Sequence, residues 1–167
     1  MLVTFDDWLQ TGLAPLLRFA TVLCGTPHLA EDVVQDVAIK AQRKWDRIGG
    51  LEHPDAYLRR MVVNEYLSWR RKWSRYVPSA EIESGTSPDH ADRTADRDEL
   101  LGELAKLPRR QRAVLVLRYY GGLKDAEIAE TLGCSAGTVR AHASRALATL
   151  RIELVRTPLT EEVHHAY

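Results

Sequence analysis

The stretch 107–151, LPRRQRAVLVLRYYGGLKDAEIAETLGCSAGTVRAHASRALATLR, constrains this chain most, because proline and glycine punctuate it at helical intervals. Pro108 suits a first helical position, where a missing N–H costs nothing. The run 109–120 then keeps apolar residues on one face until Gly121-Gly122 stops it. Ile128, Ala129 and Leu132 give a short second helix over 125–132 its buried side, and Gly133-Cys134 makes a tight turn. Ser135 caps a third helix, since its hydroxyl oxygen can accept from the free N–H groups of the next turn.

Wound at a helical period, Val139, Ala143, Ala146, Leu147 and Leu150 of that third helix fall on one side. Thr138, Arg140, Ala141, Ser144 and Arg145 fall on the other, with His142 at the flank. A short, polar, cationic face after a glycine turn is the helix-turn-helix plan, in which the second helix lies in the major groove of DNA. Arginine there can pair bidentately with guanine or clamp a phosphate. The competing reading is an ordinary amphipathic helix with a solvated basic face; the turn spacing weighs against it.

Length allows one large domain or two small ones. The formal charge is zero over 167 residues, yet the charges are segregated. Lys+Arg against Asp+Glu runs 1 to 4 over 1–35, 10 to 5 over 36–76, 2 to 8 over 77–103 and 10 to 4 over 104–156. Two basic blocks flank an acidic middle, so net charge says little about partners. No apolar run is long enough for a membrane span, and the N-terminus lacks the basic-then-apolar order of a signal peptide. Cys24 and Cys134, far apart and without CxxC spacing, read as reduced thiols of a cytoplasmic protein.

From the N-terminus, Thr4 and Asp7 form a capping box with Asp in place of Glu. Phe5, Trp8 and Leu9 share an apolar face, and Gly12 and Pro15 predict a break near Leu13 before a second piece over 16–24. Gly25-Thr26-Pro27 is a turn and helix start. Over 29–45, Val33, Val34, Val37, Ala38, Ala41 and Trp45 supply a buried side, while Asp32, Gln35 and Asp36 form a compact polar patch opposite. Read alone, such a patch is a solvated face.

The loop IGGLEHP (48–54) precedes a helix opened by Pro54 and running to about Arg75. Leu58, Met61 and Val62 give it a core face. Tyr66, Trp69 and Trp73 make an aromatic stripe interleaved with Arg70, Arg71, Lys72 and Arg75. Rings stack on unpaired bases and flanking cations hold phosphates; a stripe at this spacing equally suits a core, and both roles stand for Trp69 and Trp73. Residues 77–94 carry proline, glycine, Ser/Thr and acids without apolar periodicity and read as an extended linker. Helix resumes over 95–105, and Pro158 ends helicity ahead of a patternless tail in which His164-His165 is too sparse for a metal site. No nucleophile–base pairing, phosphate loop or metal-ligand spacing occurs, so an enzyme is not expected, nor a cofactor or metal.

Together, EDVVQDV, HPDAYLRRMVVNEYLSWRR and LPRRQRAVLVLRYYGGL resemble the short extracytoplasmic-function sigma factors of the sigma-70 family, and within them the actinobacterial SigE-type subgroup. The resemblance covers 5–75 and 98–151. It implies an all-α fold of two small helical domains joined by an extended acidic linker: region 2 over 1–76, linker 77–97, region 4 over 98–156 and a tail, 157–167. It further implies a dissociable subunit that binds core RNA polymerase and directs promoter recognition and melting, without covalent chemistry of its own. Asp32, Gln35 and Asp36 would meet the β′ clamp helices, and region 4 the β flap.

By the same resemblance the −10 element would be held by Ile48, Gly49, Gly50, Leu51, Asn64, Trp69, Arg70, Arg71, Lys72, Trp73 and Arg75. Asn64 is suited to a flipped base, since an amide donates and accepts at once. The −35 duplex would be read by Thr138, Arg140, Ala141, His142, Ser144 and Arg145. His142 and Ser144 stand where relatives commonly carry longer polar or larger side chains, so a relative's −35 preference does not transfer. Lys124 replaces a capping Ser, with Asp125 able to cap instead. Many relatives are held by an anti-sigma factor. The alternative is a stand-alone helix-turn-helix regulator binding duplex operator, but the basic aromatic helix and the polar patch are not needed for that.

Overall fold

The computed structural model describes residues 4–73 and 95–156, and among these the only regular structure is helical. Four helices form the N-terminal unit: α1 (Phe5–Cys24), α2 (Pro27–Gln42), α3 (Trp45–Ile48) and α4 (Pro54–Trp73). Four more form the C-terminal unit: α5 (Ala95–Lys106), α6 (Arg109–Leu115) with a π-helical end over Val116–Tyr120, α7 (Asp125–Leu132) and α8 (Ala136–Arg156).

In the N-terminal unit α1, α2 and α4 pack on one another around Phe19, Leu23, Val33, Val37, Leu58 and Val62, all essentially inaccessible to water. The capping box starts α1 as expected: the Asp7 N–H donates to Thr4 Oγ1 and the Thr4 N–H to Asp7 Oδ2, each at 3.2 Å. Trp8 Nε1 donates to Asp55 Oδ1 at 2.9 Å, tying the start of α1 to the first turn of α4. Phe5, Trp8 and Trp45 close that end with ring centroids 5.2–5.8 Å apart.

Two expectations are corrected here. α1 is one helix through Pro15 rather than two pieces. The carbonyl deprived of its donor belongs to the exposed Thr11, and water can serve it. Trp8 on one side of the proline and Leu16, Phe19 and Ala20 on the other are buried in the same core, which holds one axis. The second helix begins at Pro27 and ends at Gln42, so Trp45 reaches the core from the separate turn α3. Of the two readings open for the aromatic stripe, Tyr66 takes the core one, at 1% exposure.

The C-terminal unit is built on α8, against which α6 and α7 pack. Val114, Leu117, Ile128, Val139 and Ala146 fill its centre. Pro108 sits one place earlier than expected, as the N-cap of α6. The last turn widens, with Gly121 N–H donating to Val116 O at 2.9 Å, a π-helical spacing.

Candidate nucleic-acid interface

Local chemistry fixes the helix-turn-helix. Gly133 ends α7 at φ 63° and ψ 41°, a left-handed conformation in which a Cβ would be strained. Cys134 N–H returns to Ala129 O at 3.0 Å, and Ser135 Oγ accepts from the Thr138 N–H at 3.1 Å, capping α8. Asp125 does not act as the cap of α7. Its carboxylate pairs with Arg118 of the π-helical turn, and Glu127 instead accepts from the Lys124 N–H at 2.8 Å.

The inward face of α8 carries Val139, Ala143 and Ala146, all buried. Thr138, Arg140, Ser144 and Arg145 are exposed, while Ala141 and His142 are half-buried at the edge. His142 titrates below an ordinary histidine, first because burial disfavours the cation and then because Arg145 and Arg110 repel it. Beside this face lies an open groove of about 420 Å³ whose walls include Arg118, Arg140, Ser144 and Arg151. Sequence reasoning missed two of these. Arg151 was within reach, since Arg140, Ser144, Leu147 and Arg151 step by four, three and four along one helix. Arg118 had no such signal; tertiary packing alone brings it to the groove.

On the N-terminal unit Asp32 and Gln35 are exposed and Asp36 half-buried, on the side of α2 away from Val33, Val34 and Val37. Of the loop residues, Gly50 and Leu51 are open to solvent and Gly49 caps α3. Ile48 departs from its expected role: at 1% exposure its side chain is part of the core, because the short α3 turns it inward. Asn64 is exposed, next to Glu65, whose buried carboxylate pairs with Lys40. Trp69, Arg70, Arg71, Lys72 and Trp73 lie along α4, with side chains outside the described residues; Arg75, most of the linker and the tail lie outside altogether. Among the described residues no cluster of His, Cys, Asp and Glu could hold a metal ion, and no helix is long and apolar enough to cross a membrane.

Two helical units, one presenting a cationic helix-turn-helix, define a nucleic-acid-binding protein of the transcription class. Residues 9–76 match the family model "Sigma-70 region 2" and residues 97–150 match "Sigma-70, region 4". The chain is 36% identical to the RNA polymerase sigma-E factor of Streptomyces avermitilis, over 90% of this chain and 84% of that one. It is 35% identical to the ECF RNA polymerase sigma factor SigL of Mycobacterium tuberculosis, over 88% and 86%. Among solved structures it resembles the sigma factor RpoE of Bartonella quintana bound to the anti-sigma factor NepR, with a TM-score of 0.73, 30% identity, and 92% and 98% of the two chains covered. CnrH in complex with the cytosolic domain of CnrY follows at a TM-score of 0.58 and 26% identity, over 91% and 88%. The chain belongs to the sigma-70 family of RNA polymerase sigma factors. The match of 9–76 to region 2 sets aside the stand-alone regulator.

Proposed function

We propose that this chain is an alternative sigma factor acting in the cytoplasm, where it binds core RNA polymerase and directs it to promoters. The observation that carries this reading is the union, in one chain, of region 2 and region 4 units with a cationic face on α8. Asp32, Gln35 and Asp36 offer carboxylates and an amide to the β′ clamp helices, and region 4 meets the β flap. Arg140 and Arg145, with Thr138, Ala141, His142 and Ser144 around them, read the −35 duplex, and Arg118 and Arg151 extend the basic groove. Gly49, Gly50, Leu51 and Asn64 receive the −10 strand, and the basic end of α4 follows its backbone. Ile48 drops out of this set. The subunit spends binding energy on unstacking bases and performs no covalent step; the polymerase supplies the catalysis. Domain limits of 1–76 and 98–156 are proposed for the two working units, and an anti-sigma factor is proposed as a further partner, given that the solved relative RpoE is a complex of that kind.

Run-off transcription with core polymerase on genomic fragments tests the reading: transcripts should require this chain. Replacing Arg140 and Arg145 by Ala should weaken −35 engagement, each base-specific pair being worth roughly 1–3 kcal/mol. Unchanged promoter choice would remove α8 as the reader. Asn64→Ala should impair −10 opening more than assembly with polymerase, seen as lost permanganate reactivity in the open complex. Normal reactivity would take Asn64 out of the site.

A further inference from the structure

Glu65 and Arg112 are the two charged side chains buried among the described residues, at 6% and 7% exposure. Arg112 has a structural use: its guanidinium donates to backbone carbonyls, among them Cys24 at 3.1 Å and Leu107 at 3.3 Å. Glu65 is different. Its carboxylate, on α4, meets Lys40 Nζ of α2, and the Lys40 side chain keeps 44% of its surface in water. Ser68 Oγ donates to the Glu65 carbonyl at 3.0 Å, so this turn of α4 is held through its backbone as well. The inward face of α4 otherwise carries Leu58, Val62, Val63 and Tyr66, none more than 1% exposed. Asn64, immediately before Glu65, is exposed.

Stability does not account for a charge in that place. The cost of taking a carboxylate and an ammonium out of water is close to what their attraction returns, and apolar side chains of similar volume commonly hold such a site as firmly. An ion pair differs from an apolar contact in being directional. Packed Leu and Val tolerate small rotations of a helix, whereas a charged hydrogen bond selects one. Side chains reach roughly 5–6 Å from a helix axis, so turning α4 by about 20° would carry an amide there about 2 Å, against a hydrogen-bond length window of about 0.5 Å. Lys40 also follows Asp32 and Asp36 at steps of four along α2, so the pair ties α4 to the helix that carries the proposed polymerase patch.

We infer that Lys40 and Glu65 are a positioning pair, setting the rotation of α4 on α2 that aims the Asn64 amide at a base of the −10 strand. Neither side chain touches the strand; both act through Asn64. The inference rests on the sigma-factor reading and on the place of Asn64 within it.

Permanganate footprinting of the −10 region tests it, with the full chain, core polymerase and a promoter found by run-off transcription. Lys40→Met with Glu65→Leu replaces the pair by apolar side chains of similar size. The urea midpoint of this variant should equal or exceed that of the wild type. Its −10 reactivity should nevertheless fall on the order of tenfold, with assembly on core polymerase unchanged. In an Asn64→Ala background the same replacement should cause no further loss, because the pair then has no amide to aim. Lys40→Arg, which keeps the cation, should retain opening. Normal reactivity in the apolar variant would overturn the positioning role, as would losses that multiply when it is combined with Asn64→Ala, or normal opening by Asn64→Ala alone. If the double variant does not fold, Glu65→Gln decides: it keeps the shape, removes the charge and should lose on the order of threefold, again only where Asn64 is present. No loss, or an equal loss without Asn64, would overturn the inference. A wild-type chain giving no run-off transcript would instead overturn the sigma-factor reading beneath it.

Discussion

In the C-terminal unit the proposed DNA-reading surface lies on one helix, α8, whose start, turn and exposed face are set within about ten residues of each other. In the N-terminal unit the corresponding proposed surfaces are spread over α2, the loop after α3 and α4, and they are assembled only once those helices have packed. The first surface is specified by capping and left-handed turn chemistry, the second by a shared core. Loss of a local device should therefore cost little and stay near the reader, whereas loss of a core side chain should be expensive and felt at several surfaces together.

The largest expected effect is on the N-terminal side. Phe19 is 1% exposed at the meeting of α1 and the Tyr120 ring, so Phe19→Ala should cost about 3–5 kcal/mol. Urea unfolding of the full chain checks this. A loss well under 1 kcal/mol would mean that the N-terminal core is not what holds its surfaces in place.

Ser135→Ala removes the cap on Thr138 N–H and should cost about 1 kcal/mol. Its −35 footprint should weaken while the −10 footprint is kept. An equal loss at both elements would break the contrast between the two units.

The smallest effect concerns His142. Its folded pKa lies below the ordinary value of 6.5, so the folded chain binds fewer protons than the unfolded chain in the interval just below that value. Stability should therefore rise with pH through this interval and fall on acidification. His142→Gln, with no proton to gain, should show a slightly smaller drop in Tm between pH 7.5 and 5.5 than the wild type. An identical drop would discount the burial of the ring.

Cys24 illustrates the same division on a chemical scale. It sits where the two units meet, buried, with its thiol pushed up to about 12, chiefly by burial and against the opposing influence of Arg109 and Arg112. A thiol so rarely ionised is a poor nucleophile at neutral pH. The sequence allowed a reduced thiol; only burial made it an inert one.

What could be read from residue order was whatever neighbours decide. The capping box at Thr4, the Gly133 turn, the Ser135 cap and the faces of α8 all depend on groups a few positions apart, so their partners are already neighbours along the unfolded chain. The family likewise followed from three local motifs. What packing decided lies between distant positions. Pro15 stays within one helix because core residues on both sides of it are clamped, Ile48 and Tyr66 turn inward, and Arg118 joins the groove. Arg112, an unremarkable charge in the sequence, finds the carbonyl of Cys24 across 88 residues. Burial and long-range hydrogen bonding belong to the assembled molecule, because only folding brings such partners together and excludes the water that would otherwise serve them.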